Sequence, residues 1–196
     1  MDLPDRPLNP WVTQADLPQM GIAARSEIRH PRLSRLYDYW MERRGTRRYP
    51  ARADLDPLDM GYLLGELIVL DVHYEPLRFK YRLHGTKLVT RAGFDMTGKW
   101  VHDWPAPQYR ARLICAYTKT IEAGEPQRGE RAIFDDGRWR EYEFLILPLA
   151  ADGCLIDKLL VAMVYLDRFA RLVDPTIRME MSPPLETVEL PPCGIR

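Results

Sequence analysis

The chain has 196 residues, of which 46% are hydrophobic, enough for one domain of ordinary size with extensions. Lys plus Arg and Asp plus Glu number 28 each, so the net charge gives no argument for a nucleic-acid partner. Three cysteines lie far apart and are odd in number, which predicts free thiols in a reducing compartment: Cys115, Cys154 and Cys193.

The start of the sequence lacks a charged-then-apolar signal segment. No run approaches the roughly 20 apolar residues that a membrane-spanning helix needs. We therefore expect a cytoplasmic protein without a membrane span.

The first 29 residues are rich in proline and charge, and we expect them to form an extension that docks loosely or stays mobile. A helix is predicted over 31–44, ended by Gly45. Its apolar side chains recur at i, i+3, i+4 and i+7, on one face: Leu33, Leu36, Tyr37 and Trp40. This stripe is predicted to pack onto apolar sheet surface, in its own chain or at an interface with a partner chain.

A second, short helix is predicted after this one, with Asp54 or Asp56 as its cap and Pro57 in its first turn. It would run through Met60 to about Leu64.

Residues 67–84 predict two strands joined by a tight turn at Pro76, because proline fixes φ and donates no backbone hydrogen bond. In the second strand, apolar and charged residues alternate with a period of two. The alternation predicts that three side chains face inward: Phe79, Tyr81 and Leu83.

Helices are then predicted over 86–92 and 108–123, followed by strands over 128–134, 141–149 and 158–166. This order predicts an α+β fold, a five-stranded antiparallel sheet with the helices on one face. The last strand is apolar at every position between 159 and 166, so we expect both of its faces to be covered, the second one by the helix 31–44.

Three short motifs in a fixed order carry a resemblance to a known family. They are Tyr39-Trp40 on the helix, RADLDP at 52–57 and YRLHGT at 81–86. Over about residues 31–166 the chain resembles the single-domain PAS-like proteins of alphaproteobacteria. The resemblance implies a PAS fold and a regulatory role, and for most members no defined ligand. We divide the chain into an N-terminal extension, a helical cap, a PAS-like core and a proline-rich tail: 1–29, 30–66, 67–166 and 167–196.

Cofactor signatures of PAS domains are missing. Flavin-binding members carry an Asn-Cys-Arg-Phe-type motif after the second strand, and the corresponding segment 86–95 has no cysteine. Haem-binding members often present a histidine from the long helix, and 108–123 has none, although His102 lies just before it. The four histidines show no metal-ligand spacing, so no metal site is predicted and the cofactor stays unknown.

Catalytic motifs are missing as well. None of the three serines lies in a G-x-S-x-G elbow, and the sequence has neither a P-loop nor a G-x-G-x-x-G motif. We therefore predict that the protein is not an enzyme and has no catalytic residues.

Nine arginines cluster between Arg25 and Arg52. Guanidinium groups suit phosphate, so the cluster could hold a phosphate-bearing ligand or an acidic partner. The spacing of Arg43 and Arg47 is similar to that in PilZ-type receptors for cyclic-di-GMP, but their second motif, D/N-x-S-x-x-G, is absent. The alternative is a solvated helix face neutralised by acidic neighbours: Asp38, Glu42, Asp54 and Asp56.

The cavity of a PAS fold lies between the inner face of the sheet and the crossing helices. Strand parity turns Tyr142, Phe144 and Ile146 inward as well, with Glu141 and Glu143 outward. We predict an aromatic or anionic organic ligand, with His84 near the mouth of the cavity, held by four residues: Tyr81, His84, Trp100 and Tyr117.

The resulting prediction is a non-catalytic PAS-type sensory or regulatory module that acts by small-ligand binding, protein–protein interaction or both. A homodimer is expected because the last strand and the aromatic helix offer much apolar surface. Two alternatives stay open. One is a scaffold with a filled core and no ligand, and the other is a small-molecule carrier or enzyme that uses the PAS cavity.

Overall fold

The computed structural model describes residues 19–135 and 138–166. Three α-helices and six strands make up the fold: β1 (Gln19–Ile22), α1 (Pro31–Arg44), β2 (Leu67–His73), β3 (Arg78–His84), α2 (Thr86–Ala92), α3 (Pro107–Ala123), β4 (Gln127–Asp135), β5 (Arg138–Leu149) and β6 (Lys158–Leu166). Three of the four predicted helices and all five predicted strands are present to within a few residues at each end.

All six strands belong to one antiparallel sheet in the order β1-β4-β5-β6-β2-β3. The first and last predicted strands, β2 and β6, are neighbours, with Leu67 opposite Ala162. This confirms the predicted fold. The sixth strand, β1, was not predicted, because it is a four-residue piece of the proline-rich N-terminal segment that pairs with β4.

The helix α1 covers the outer face of the sheet, which is the face opposite α3. Trp40 is only 1% exposed, and its Nε1 donates a hydrogen bond to the carbonyl oxygen of Pro148 at 2.9 Å. Leu33 and Leu36 are fully buried beside it. The prediction that this stripe packs on the sheet is confirmed, and it explains why the neighbouring β6 is apolar on both faces.

A buried carboxylate ties the start of α1 to the sheet. Glu143, on the outer face of β5, has no exposed surface. It accepts hydrogen bonds from the backbone N–H groups of Arg29 at 3.0 Å and His30 at 2.7 Å, and from Nε of Arg128 at 3.3 Å. Glu143 thus points outward as predicted, but into a covered environment rather than water.

A β-bulge changes which side chains of β3 face inward. Val69 pairs with Leu83 and Leu70 pairs with Tyr81, so Arg82 is an extra residue opposite β2. The alternation therefore reverses after Tyr81. Leu83 is 44% exposed, so its predicted inward orientation is wrong, while His84 is buried.

The short helix predicted near 54–64 is replaced by two 3₁₀ turns, Arg52–Asp54 and Gly61–Leu63. Asp54 caps the first of them by accepting from the backbone N–H of Ala51 at 2.8 Å. Gly61, which disfavours a helix interior, lies inside the predicted span, and this explains why an α-helix does not form there.

Two parts of the predicted organisation lie outside the described residues: the first 18 residues of the extension and the tail 167–196. Within the part that is described, no helix has the length and apolar character needed to cross a bilayer.

Candidate functional site

The inner face of the sheet, beneath α3, carries a cluster of hydrogen-bonded aromatic side chains. Nε1 of Trp104 donates to the hydroxyl of Tyr81 at 2.8 Å, and Tyr81 is also hydrogen-bonded to the hydroxyl of Tyr117. The ring of Tyr117 meets Phe79 edge to face, with centroids 5.3 Å apart. We call Phe79, Tyr81, Trp104 and Tyr117 the tyrosine cluster.

Three elements bring this cluster together. Tyr81 lies on β3 and Tyr117 on α3, while Trp104 follows the 3₁₀ turn Val101–Asp103. That turn is capped by Asp103, which accepts from the backbone N–H of Trp100 at 2.8 Å. Arg110 of α3 then donates to the carbonyl oxygen of Trp104 at 3.3 Å, so the helix itself holds the loop in place.

His84 lies beside the cluster because of the bulge. Its ring centroid is 5.4 Å from that of Tyr81, and its Nδ1 accepts from the backbone N–H of Met96 at 3.3 Å. Burial lowers the pKa of His84 below its ordinary value, and the carboxylate of Asp95 opposes this only in part. The imidazole is therefore a neutral, buried group rather than a charged group at the mouth of a cavity.

The structure brings together three of the four predicted ligand residues: Tyr81, His84 and Tyr117. Trp100 lies apart from them. It bridges to Lys80 and stacks under Arg78 at 4.2 Å, and both residues alternate with the inward-facing side chains of β3. Trp104, four residues further on, takes the place by Tyr81 that was predicted for Trp100.

A second polar group on the inner face surrounds Arg131 of β4. Arg131 is 9% exposed and lies directly opposite Tyr142 on the neighbouring strand. It also lies over the ring of Tyr109, 5.6 Å from the centroid. Its Nε is buried and has no hydrogen-bond partner. We call Tyr109, Arg131 and Tyr142 the arginine group; the sequence prediction named only Tyr142 among them.

The tyrosine hydroxyls of both groups are neutral donors near neutral pH. Burial raises the pKa of Tyr81 to about 12, although its hydrogen bonds to Trp104 and Tyr117 work in the opposite direction. Burial also raises the pKa values of Tyr109, Tyr117 and Tyr142. A neutral hydroxyl offers one donor and two acceptor positions, so this face can recognise polar atoms.

The residues predicted for an interface are mostly inside the chain. On α1 itself, three of these side chains are buried between the helix and the sheet: Leu33, Leu36 and Trp40. Tyr37 is partly exposed. The apolar surface that suggested a homodimer is therefore already covered within one chain. The interface role of these residues stays a prediction, for which Tyr37 offers the accessible surface.

Five of the nine arginines between 25 and 52 form ion pairs with acidic side chains of the described residues. Arg43 contacts Asp59 at 3.2 Å, and Arg47 contacts Asp54 at 2.7 Å. Further pairs join Arg25 to Asp38, Arg29 to Glu130, and Arg32 to Glu66. The two arginines of the PilZ-like spacing thus both have a carboxylate partner, as expected for a neutralised helix face. Among the residues with described positions, no group of three His, Cys, Asp or Glu side chains could hold a metal ion.

Comparison with known proteins agrees with this architecture. The family model described as "PAS domain" matches residues 28–163. No curated protein is significantly similar to the chain.

Two solved structures are similar over part of the chain. The first is an RNA-binding light-oxygen-voltage receptor, 14% identical, with 57% of this chain and 33% of that protein covered and a TM-score of 0.38. The second is the N-terminal domain of a diguanylate cyclase with PAS/PAC sensor from Marinobacter aquaeolei, 16% identical, with 50% and 93% covered and a TM-score of 0.34. Both likenesses are too loose to support an argument about function.

Proposed function

Because the chain belongs to the PAS domain family, whose members are sensory modules, we propose that it is a non-catalytic regulatory protein that binds a small organic ligand beneath α3. Occupancy of this site would change its contacts with a protein partner. The division into a cap (30–66) and a PAS-like core (67–166) is part of the proposal, as are the cytoplasmic location and the alphaproteobacterial origin that the resemblance implies.

One observation supports ligand binding: beneath α3, the inner face carries hydrogen-bonded tyrosine and tryptophan side chains among its aliphatic ones. A core that only had to be filled would need no hydroxyl or indole N–H, because every buried polar group must find a partner. Tyr81, Trp104 and Tyr117 satisfy one another instead. A ligand with its own donors and acceptors could exchange with these hydrogen bonds.

Native mass spectrometry of the purified protein, beside its mass under denaturing conditions, tests the proposal. We expect either a retained ligand or a ligand found by thermal-shift screening of small metabolites. The variant Tyr81→Phe should weaken the response, and Leu83→Ala, on the other face of the same strand, should leave it unchanged. The proposal fails if no compound is retained and none shifts the melting temperature.

The mutual hydrogen bonds of the tyrosine cluster also favour a second candidate, a scaffold with a filled core and no ligand. Phe79, Tyr81 and Tyr117 are almost fully buried by one another and by α3. The same screen separates the two, since a scaffold shows neither retention nor a shift. The predicted homodimer is tested separately, by sedimentation at tens of micromolar.

A further inference from the structure

The charge on Arg131 is the feature of the inner face that packing alone does not explain. An arginine that is nine-tenths buried is normally paired with a carboxylate, because an isolated charge loses several kcal/mol of hydration. Arg131 takes part in none of the ion pairs among the described residues, and its buried Nε lacks any hydrogen-bond partner. Arg128, three residues earlier on the outer face, has both Glu130 and Glu143.

We propose that Arg131 is the anchor for the carboxylate of a small aromatic or apolar acid. This rests on the proposed ligand-binding function and specifies the chemical class of the ligand. The Nε–H and the adjacent Nη–H form one edge of the guanidinium, which a carboxylate occupies with two parallel hydrogen bonds. A planar carboxylate matches this edge in both shape and charge.

The surroundings of Arg131 fit such an acid. The rings of Tyr109 and Tyr142 offer apolar faces for its body, and their hydroxyls are neutral donors. Two further aromatic rings lie next to that of Tyr142: Phe144 and Tyr165, with centroids 6.4 and 5.8 Å away. Tyr109 and Tyr165 are partly exposed, so the acid could enter from their side. A mostly apolar wall with a few placed polar groups is the usual composition of a small-molecule site.

Paired probes of the same shape test the charge requirement on the wild-type protein. Benzoate and benzamide differ in charge but hardly in size, and both can be titrated calorimetrically at pH 7. A hydrogen bond to a charged group predicts that benzoate binds at least about tenfold more tightly than benzamide. Equal binding of the two, or no binding of benzoate, overturns the proposal.

Variants of β4 locate the effect. We expect Arg131→Met to abolish benzoate binding. Arg131→Lys should weaken it, because lysine keeps the positive charge but lacks the two parallel N–H donors of the guanidinium. Arg128→Met, on the opposite face of the same strand, should bind benzoate as the wild type does. Undiminished benzoate binding by Arg131→Met contradicts the proposal.

The unliganded proteins add an independent measurement. Removing an unpaired buried charge should leave the melting temperature of Arg131→Met equal or higher, whereas a purely structural arginine would lower it. A large loss of stability in this variant therefore counts against the proposal. If benzamide binds and benzoate does not, the carboxylate proposal fails and the ligand-binding function stands. If neither binds and native mass spectrometry shows no retained ligand, both fail.

Discussion

The two faces of the sheet bury polar side chains in opposite ways. On the outer face, Glu143 is matched by two backbone N–H groups and by Arg128, and the Trp40 indole reaches a backbone carbonyl. On the inner face, Arg131 is bordered by tyrosines and has no described carboxylate partner. The buried charge on the outer face therefore fixes α1, whereas the charge of Arg131 on the inner face has no carboxylate partner among the described residues.

The largest effect is expected on the outer face, at the indole that anchors α1. Trp40→Ala should reduce the free energy of unfolding by about 3–5 kcal/mol, because it leaves a cavity and frees the carbonyl of Pro148. Urea denaturation measures this. Tyr37→Ala, on the same helix but partly exposed, is the control and should cost clearly less. Equal losses in the two variants would show that α1 is not anchored at Trp40.

A somewhat smaller loss is expected at the carboxylate on the same face. Glu143→Gln turns an amide N–H₂ towards backbone donors and leaves Arg128 without this charge, which should cost about 2–4 kcal/mol. Glu130→Gln changes a more exposed carboxylate on the neighbouring strand and should cost less than about 1 kcal/mol. If chemical denaturation gives the same loss of unfolding free energy for both variants, the buried carboxylate of Glu143 contributes no more than the more exposed one of Glu130.

The inner face should tolerate the loss of a hydroxyl better. Tyr81→Phe removes the acceptor for Trp104 Nε1 while keeping the ring, and we expect a loss of about 1 kcal/mol. Trp104→Phe, which removes the donor, should cost more because it also shrinks a buried ring. A double variant in which the two losses simply add would show that the hydrogen bond contributes nothing to stability.

The smallest effect concerns the pH dependence of His84. Its pKa is lowered in the folded state, so the unfolded chain binds the proton more readily. Stability should therefore be complete above the ordinary histidine value of about 6.5 and fall as the pH drops through the folded pKa. His84→Asn keeps an acceptor for the backbone of Met96 and should flatten the melting-temperature profile in this window. An unchanged profile would assign the pH dependence to other groups, among them His102, whose pKa burial also lowers.

The elements could be predicted because their limits are local. Glycines, prolines and the spacing of hydrophobic residues can be read directly from the sequence. The three α-helices end where expected, each at a glycine: Gly45, Gly93 and Gly124. The antiparallel sheet could be predicted from the order of strands and helices along the chain. The strand β1 escaped notice because four residues carry too little periodicity to be distinguished from a loop.

The site was predicted less completely because its geometry depends on the register between paired strands and on the conformation of one loop. The extra residue Arg82 leaves no mark in the sequence, yet it turns Leu83 out and His84 in. Trp100 and Trp104 are equally suitable by composition, and only the intervening 3₁₀ turn sends the second one inward. Arg131 could have been found by parity, because it lies opposite Tyr142, which was predicted to face inward.

The short strand β1 has a further consequence for the behaviour of the protein in solution. It covers the free edge of β4 through four register pairs, from Gln19 opposite Glu130 to Ile22 opposite Gln127. Among the residues that the structure describes, no strand continues along this edge towards Asp135. Exposed edge groups act as a template for another chain, so deleting residues up to Ile22 would bare all of β4. N-terminal truncation is therefore expected to promote aggregation through edge pairing while the core remains folded.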